Sequence, residues 1–122
     1  MKKLDTSLYF ITDSTGLEER VFLYQVEQAL SGGVTIMQIR EKDKSTREYM
    51  HLAEKVHEIA VKYNVPLIID DRLDVALAVE AEGVHLGQSD MPVNTAREIV
   101  GDNMIIGATT KTVGPPFSPR TC

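Results

Sequence analysis

Three side chains with the chemistry to grip an anion lie at i, i+2 and i+4 in one short run: Gln38, Arg40 and Lys42. If the segment stays extended, all three leave from one face, because alternate residues of a strand share a side. A planar guanidinium fork beside a point ammonium suits a diphosphate, and the Gln amide can donate and accept toward a neutral ring. Met37 and Ile39 interleave with them as an apolar opposite face. Taken singly, each of the three also reads as an ordinary polar residue where a strand surfaces. A second group is acidic: Asp70 and Asp71 end one apolar run, and Asp90 follows another. Carboxylates from neighbouring parallel strands supply hard oxygens of the kind Mg²⁺ takes, with phosphate and water completing the shell. Asp71 and Asp90 also precede helical patterns, so capping is an equal alternative for each. Thr109, Thr110 and Lys111 add hydroxyls and a cation after a later run, Asp13 reads as a turn residue, and His85 as a satisfied histidine within a strand.

Placing these groups together requires a particular order of elements. Leu8 to Thr12, Val34 to Arg40, Pro66 to Asp70, Val84 to Gly87 and Met104 to Ala108 are short apolar runs that read as strands. Helical spacing fills the gaps. Phe22, Val26, Ala29 and Leu30 mark a helix from about Glu18 to Leu30, ended by Gly32-Gly33. Ser45 and Glu48 have capping-box spacing ahead of a stripe made by Tyr49, Leu52, Ala53, Val56, Ile59, Ala60 and Tyr63, with Glu58 and Lys62 as an i, i+4 pair. Pro66 forbids continuation of that helix. Asp71 to Glu82 and Pro92 to Val100 complete the set as shorter helices. Strands alternating with helices indicate βαβ units and a parallel sheet. The class is α/β, and every polar group above then falls at a C-terminal strand end, where such folds bind ligands.

Composition narrows the possible partners. The chain has 122 residues, 13 Lys+Arg against 18 Asp+Glu and a net charge of −5, which argues against a nucleic-acid partner. No apolar run approaches the roughly 20 residues that span a bilayer. The start, Met1-Lys2-Lys3, lacks the apolar stretch of a secretory signal, so a cytoplasmic protein is expected. The one cysteine is Cys122, which leaves no internal disulfide and no Cys-based metal cluster. The ten residues from 113 hold three prolines within five positions and read as an irregular tail outside the 1–112 unit.

The stretches LYFITD, MQIREK, IIDDRLDVALA, GVHLGQSDMP and IIGATT, from residue 8 to about 112, resemble the thiamine phosphate synthase family in order and spacing. That resemblance implies a (β/α)₈ barrel of the TIM-barrel type, a transferase that joins hydroxymethylpyrimidine diphosphate to a thiazole phosphate and releases pyrophosphate. It implies that Gln38, Arg40 and Lys42, with Ile39 and Glu41 in the same run, surround the pyrimidine diphosphate. Arg40 and Lys42 would neutralise the leaving group, and Asp71 and Asp90 would ligate Mg²⁺. Asp70 stands where the family often has Asn, and Thr109 where it often has Ser. A full barrel takes about 200 to 250 residues, so the expectation is a truncated barrel of about five strands and four helices that holds the first substrate site. A self-associating half-barrel, joined through exposed sheet edges, and a thiazole tautomerase or regulatory relative are the alternatives.

Overall fold

The computed structural model describes residues 5–87 and 90–108. Its elements run β1 (Tyr9–Thr12), α1 (Glu19–Ser31), β2 (Ile36–Ile39), α2 (Thr46–Lys62), β3 (Leu67–Asp70), α3 (Leu73–Ala78), β4 (Gly83–Leu86), α4 (Val93–Val100) and β5 (Ile105–Ala108). The five strands form one sheet in sequence order, every neighbouring pair parallel. Each strand after β1 is entered through a helix, as parallel pairing requires.

Alternation along the strands sorts residues between two faces. Met37 and Ile39 of β2, Leu67 and Ile69 of β3, Val84 and Leu86 of β4 and Ile106 of β5 share one buried cluster with Phe22, Val26 and Leu30 of α1 and with the α2 stripe. The helices therefore pack on one face. The register Gln38↔Ile68↔Gly83↔Ile105 and Asp70↔His85↔Gly107 defines the opposite face. There Gly83 lets two strands approach: a Cβ on it would stand 2.6 Å from Ile68 Cδ1 and 2.7 Å from the Ile105 carbonyl. A sheet in simple sequence order with its helices on one side is the barrel type of α/β architecture, not the doubly wound type.

The helices form for the reasons their sequences supply, with two differences. In α2 both halves of the capping box are made, Ser45 Oγ accepting from the Glu48 amide and the Glu48 carboxylate accepting from the Ser45 amide. Tyr49, Leu52, Ala53, Val56 and Ala60 are buried, while Ile59 and Tyr63 are packed at the margin. Lys62, however, reaches across to Glu27 of α1 at 3.0 Å instead of stabilising its own helix through Glu58. The third helix is also shorter than its pattern suggests, six residues in place of the expected span from Asp71 to Glu82. Asp71 and Glu80 both adopt positive φ, 70° and 57°, and that backbone stops a right-handed helix on each side.

Candidate functional site

The acids and bases meet where the strands end. Beyond β2 the chain turns so that Lys42 Nζ lies 3.1 Å from Asp70 Oδ2 and also bonds the Asp71 carboxylate. Arg40 leans toward the same Asp70 oxygen, its Nε 3.9 Å away, while its side chain stays 54% exposed. Asp71 and Asp90 share a hydrogen bond. Residues separated by up to fifty positions in the chain thus stand on one rim.

Neither acid caps a helix. The N-cap positions of α3 and α4 are Arg72 and Pro92, and among the described residues no side chain caps either helix. Asp71 instead spends its backbone amide on the His85 carbonyl of β4, at 2.7 Å, and its left-handed φ turns the carboxylate back toward Lys42 and Asp90. Asp and Asn tolerate that conformation better than other non-glycine residues. Asp90 Oδ2 accepts from the Gly87 amide at 2.6 Å, which closes a small turn after β4. Capping is thereby excluded as the role of either side chain, and the two carboxyls stand beside each other at the rim.

The electrostatics follow from crowding three carboxyls around one ammonium. Burial pushes Asp70 up, against the Lys42 hydrogen bond. Burial also pushes Asp71 up, but hydrogen bonds from Asp90 and Lys42 outweigh it and hold its carboxyl below the ordinary value. Burial and the hydrogen bond with Asp71 raise Asp90. Lys42 is raised, chiefly by its bond to Asp71, and so stays charged. Among the described residues no group of three or more His, Cys, Asp or Glu is arranged to hold a metal by itself. The residues that could contribute to a metal here are the two carboxylates Asp71 and Asp90, as many as Mg²⁺ commonly takes from a protein, the rest of its shell being ligand and water oxygens.

Gln38 lies buried on the face of Asp70, and its Nε2 donates to the Tyr9 hydroxyl at 2.9 Å. Two members of the same run are placed elsewhere. Ile39 is wholly buried among the helices, because strand alternation turns it away from its neighbours Gln38 and Arg40. Glu41, whose side chain is 3% exposed, accepts from the Ser14 amide at 3.1 Å and the Ser14 hydroxyl at 2.7 Å. It ties the loop after β1 to the loop after β2. The side chains of Ile39 and Glu41 thus point away from the face that Gln38, Arg40 and Lys42 share. Asp13 is the turn residue expected, accepting from the Thr15 amide and hydroxyl. Thr109, Thr110 and Lys111 lie outside the described residues.

Sequence reasoning missed two tyrosine hydroxyls. Tyr9 has the strand parity of Ile11 and Gln38 and so belongs to the rim face. The Tyr49 ring is part of the core stripe, yet its hydroxyl lies 3.0 Å from the Ile39 carbonyl and 2.9 Å from that of Asp70. Burial, reinforced by the nearby Asp70 charge, raises its pKa and keeps it neutral.

One-sided parallel β/α units with a charged rim at the C-terminal strand ends make this a chain of the β/α-barrel class. The family model for thiamine monophosphate synthase matches residues 8–114. A thiamine-phosphate synthase of Methanobrevibacter smithii is 50% identical over 113 residues, 93% of this chain and 54% of that protein. One from Clostridium novyi is 52% identical over 104 residues, 85% of this chain and 51% of its own length. The solved structure of a thiamine phosphate pyrophosphorylase from Pyrococcus furiosus superposes with a TM-score of 0.79 at 41% identity, over 88% of this chain and 51% of that one. The chain belongs to the thiamine monophosphate synthase family, and it spans about half the length of these relatives.

Proposed function

We propose that this chain carries the pyrimidine diphosphate side of a thiamine-phosphate synthase, a transferase of thiamine biosynthesis that works in the cytoplasm. The observation that carries the reading is the meeting of Arg40 and Lys42 with Asp70, Asp71 and Asp90 at adjacent strand ends. In the reaction, the bond between the pyrimidine's methylene carbon and the diphosphate oxygen breaks, and the thiazole nitrogen captures the resulting carbocation. That step needs no enzyme nucleophile, only charge neutralisation on the departing diphosphate.

Each residue has a place in that task. Arg40, exposed and held among the described residues by one long ion pair, presents its guanidinium fork to diphosphate oxygens. Lys42 can exchange its carboxylate partners for phosphate oxygens, remaining charged throughout. Gln38, steadied by Tyr9, offers its amide to the pyrimidine ring. Asp71 and Asp90 would hold Mg²⁺, which when bound contributes further positive charge to the leaving group. Asp70, kept close to Lys42, sets that lysine's direction. Thr109 is proposed as a hydroxyl donor to the diphosphate.

Calorimetry with Mg²⁺ and pyrophosphate tests the proposal. A folded chain should bind pyrophosphate in the presence of Mg²⁺, and Arg40→Ala should weaken binding about tenfold or more, the worth of one charge-assisted contact. No heat at millimolar ligand, with folding verified by circular dichroism, would overturn it.

A further inference from the structure

We propose that Tyr49 is a positioning residue of this rim: through its hydroxyl, which bonds the main-chain carbonyls of Ile39 and Asp70, it fixes the spacing between the cations that follow β2 and the carboxylates that follow β3. The proposal rests on the diphosphate-binding reading above and adds a residue that touches no ligand.

The geometry places this hydroxyl at the point where the sheet stops helping. Pairing between β2 and β3 runs from Met37↔Leu67 to Ile39↔Ile69 and ends there. Arg40 and Asp71, the residues that begin the rim, each directly follow a carbonyl that Tyr49 holds. Their own amides bond outward to other strands, Arg40 to the Thr12 carbonyl of β1 at 3.2 Å and Asp71 to the His85 carbonyl of β4. The phenol therefore closes the gap that backbone pairing leaves between β2 and β3. The phenol has one proton to share between them: the Ile39 carbonyl lies at the last ladder pair, whereas the Asp70 carbonyl lies past it, buried and in need of a donor.

The donor is itself fixed from three sides. Its ring is 1% exposed in the core. One residue earlier, the Ser45–Glu48 box pins the start of α2. Arg72 Nη2 bonds Thr46 Oγ1 at 2.5 Å, which ties that same helix start to the loop after β3. A phenylalanine would fill the same space and offer no proton to either carbonyl, so the hydroxyl serves the strand ends and not the packing.

Tyr49→Phe in this chain separates the roles. Under conditions where both proteins are fully folded, calorimetry should show pyrophosphate with Mg²⁺ binding about tenfold more weakly to the variant, the scale of losing a group that orients ligand-holding residues. Hydrogen exchange should quicken at the Arg40 and Asp71 amides. It should stay unchanged at the Met37 and Leu67 amides, which bond Pro66 and Glu82 at the opposite end of the same strands. Equal acceleration at all four amides, no acceleration at Arg40 and Asp71, or a local acceleration with unaltered affinity would each overturn the proposal. If the wild-type chain itself takes up no pyrophosphate, the functional reading falls, and the contrast between the two ends of the strands still decides whether the hydroxyl holds them.

Discussion

Glu41→Ala distinguishes a ligand contact from an internal brace. The Glu41 carboxylate is almost fully enclosed and accepts two hydrogen bonds from Ser14, one from the amide and one from the hydroxyl. Bonds to a charged group contribute about 1.5 to 3 kcal/mol each, and truncation also strands the two donors. Since the pair shares one acceptor group, the total is about 3 to 4 kcal/mol, a large part of the 5 to 15 kcal/mol typical of a domain. With a urea slope of about 1.5 to 2 kcal/mol/M for a chain of this size, the unfolding midpoint should drop by roughly 2 M. Affinity for pyrophosphate with Mg²⁺, measured well below the transition, should change less than twofold. A variant with an unaltered midpoint and lost binding would refute the brace and return Glu41 to the substrate.

Two further substitutions probe the sheet. Gly83→Ala places a methyl inside 3 Å of both Ile68 and Ile105, and overpacking of this kind costs about 1 to 3 kcal/mol, read as a lower midpoint of thermal unfolding; a neutral result would mean that β4 can slide away from its neighbours. Thr12→Val removes a buried hydroxyl that has no hydrogen-bond partner among the described residues, and should raise stability by about 1 kcal/mol in urea titration; a loss of stability would show that this oxygen has a partner in solution.

The elements were legible because apolar runs bounded by Gly, Pro and Asp state their own limits, and the five strands and four helices follow that alternation. Strand ends were legible for the same reason, which is why Arg40, Lys42, Asp70, Asp71 and Asp90 could be assigned to one rim. What stayed hidden depends on backbone angles and on distant partners. Nothing in the composition of the third helix announces that Asp71 and Glu80 turn left-handed. Period-two reasoning ends where β2 ends, so it cannot say that Glu41 folds back to Ser14, 27 residues earlier. The apolar stripe of α2 accounts for the Tyr49 ring and is silent about its hydroxyl. Lys62 finds Glu27 because a partner across a packed helix pair competes easily with a local pairing worth only a few tenths of a kcal/mol.

The division of labour along β2 limits how this segment can change. Met37 and Ile39 serve the interior, whereas Gln38 and the cations just past the strand serve the rim. Inserting or deleting one residue between Ile36 and Lys42 would exchange the two sets in a single event, driving a guanidinium toward the helices and an isoleucine toward the anion. Within the strand, residue identity can drift by substitution while the number of residues cannot.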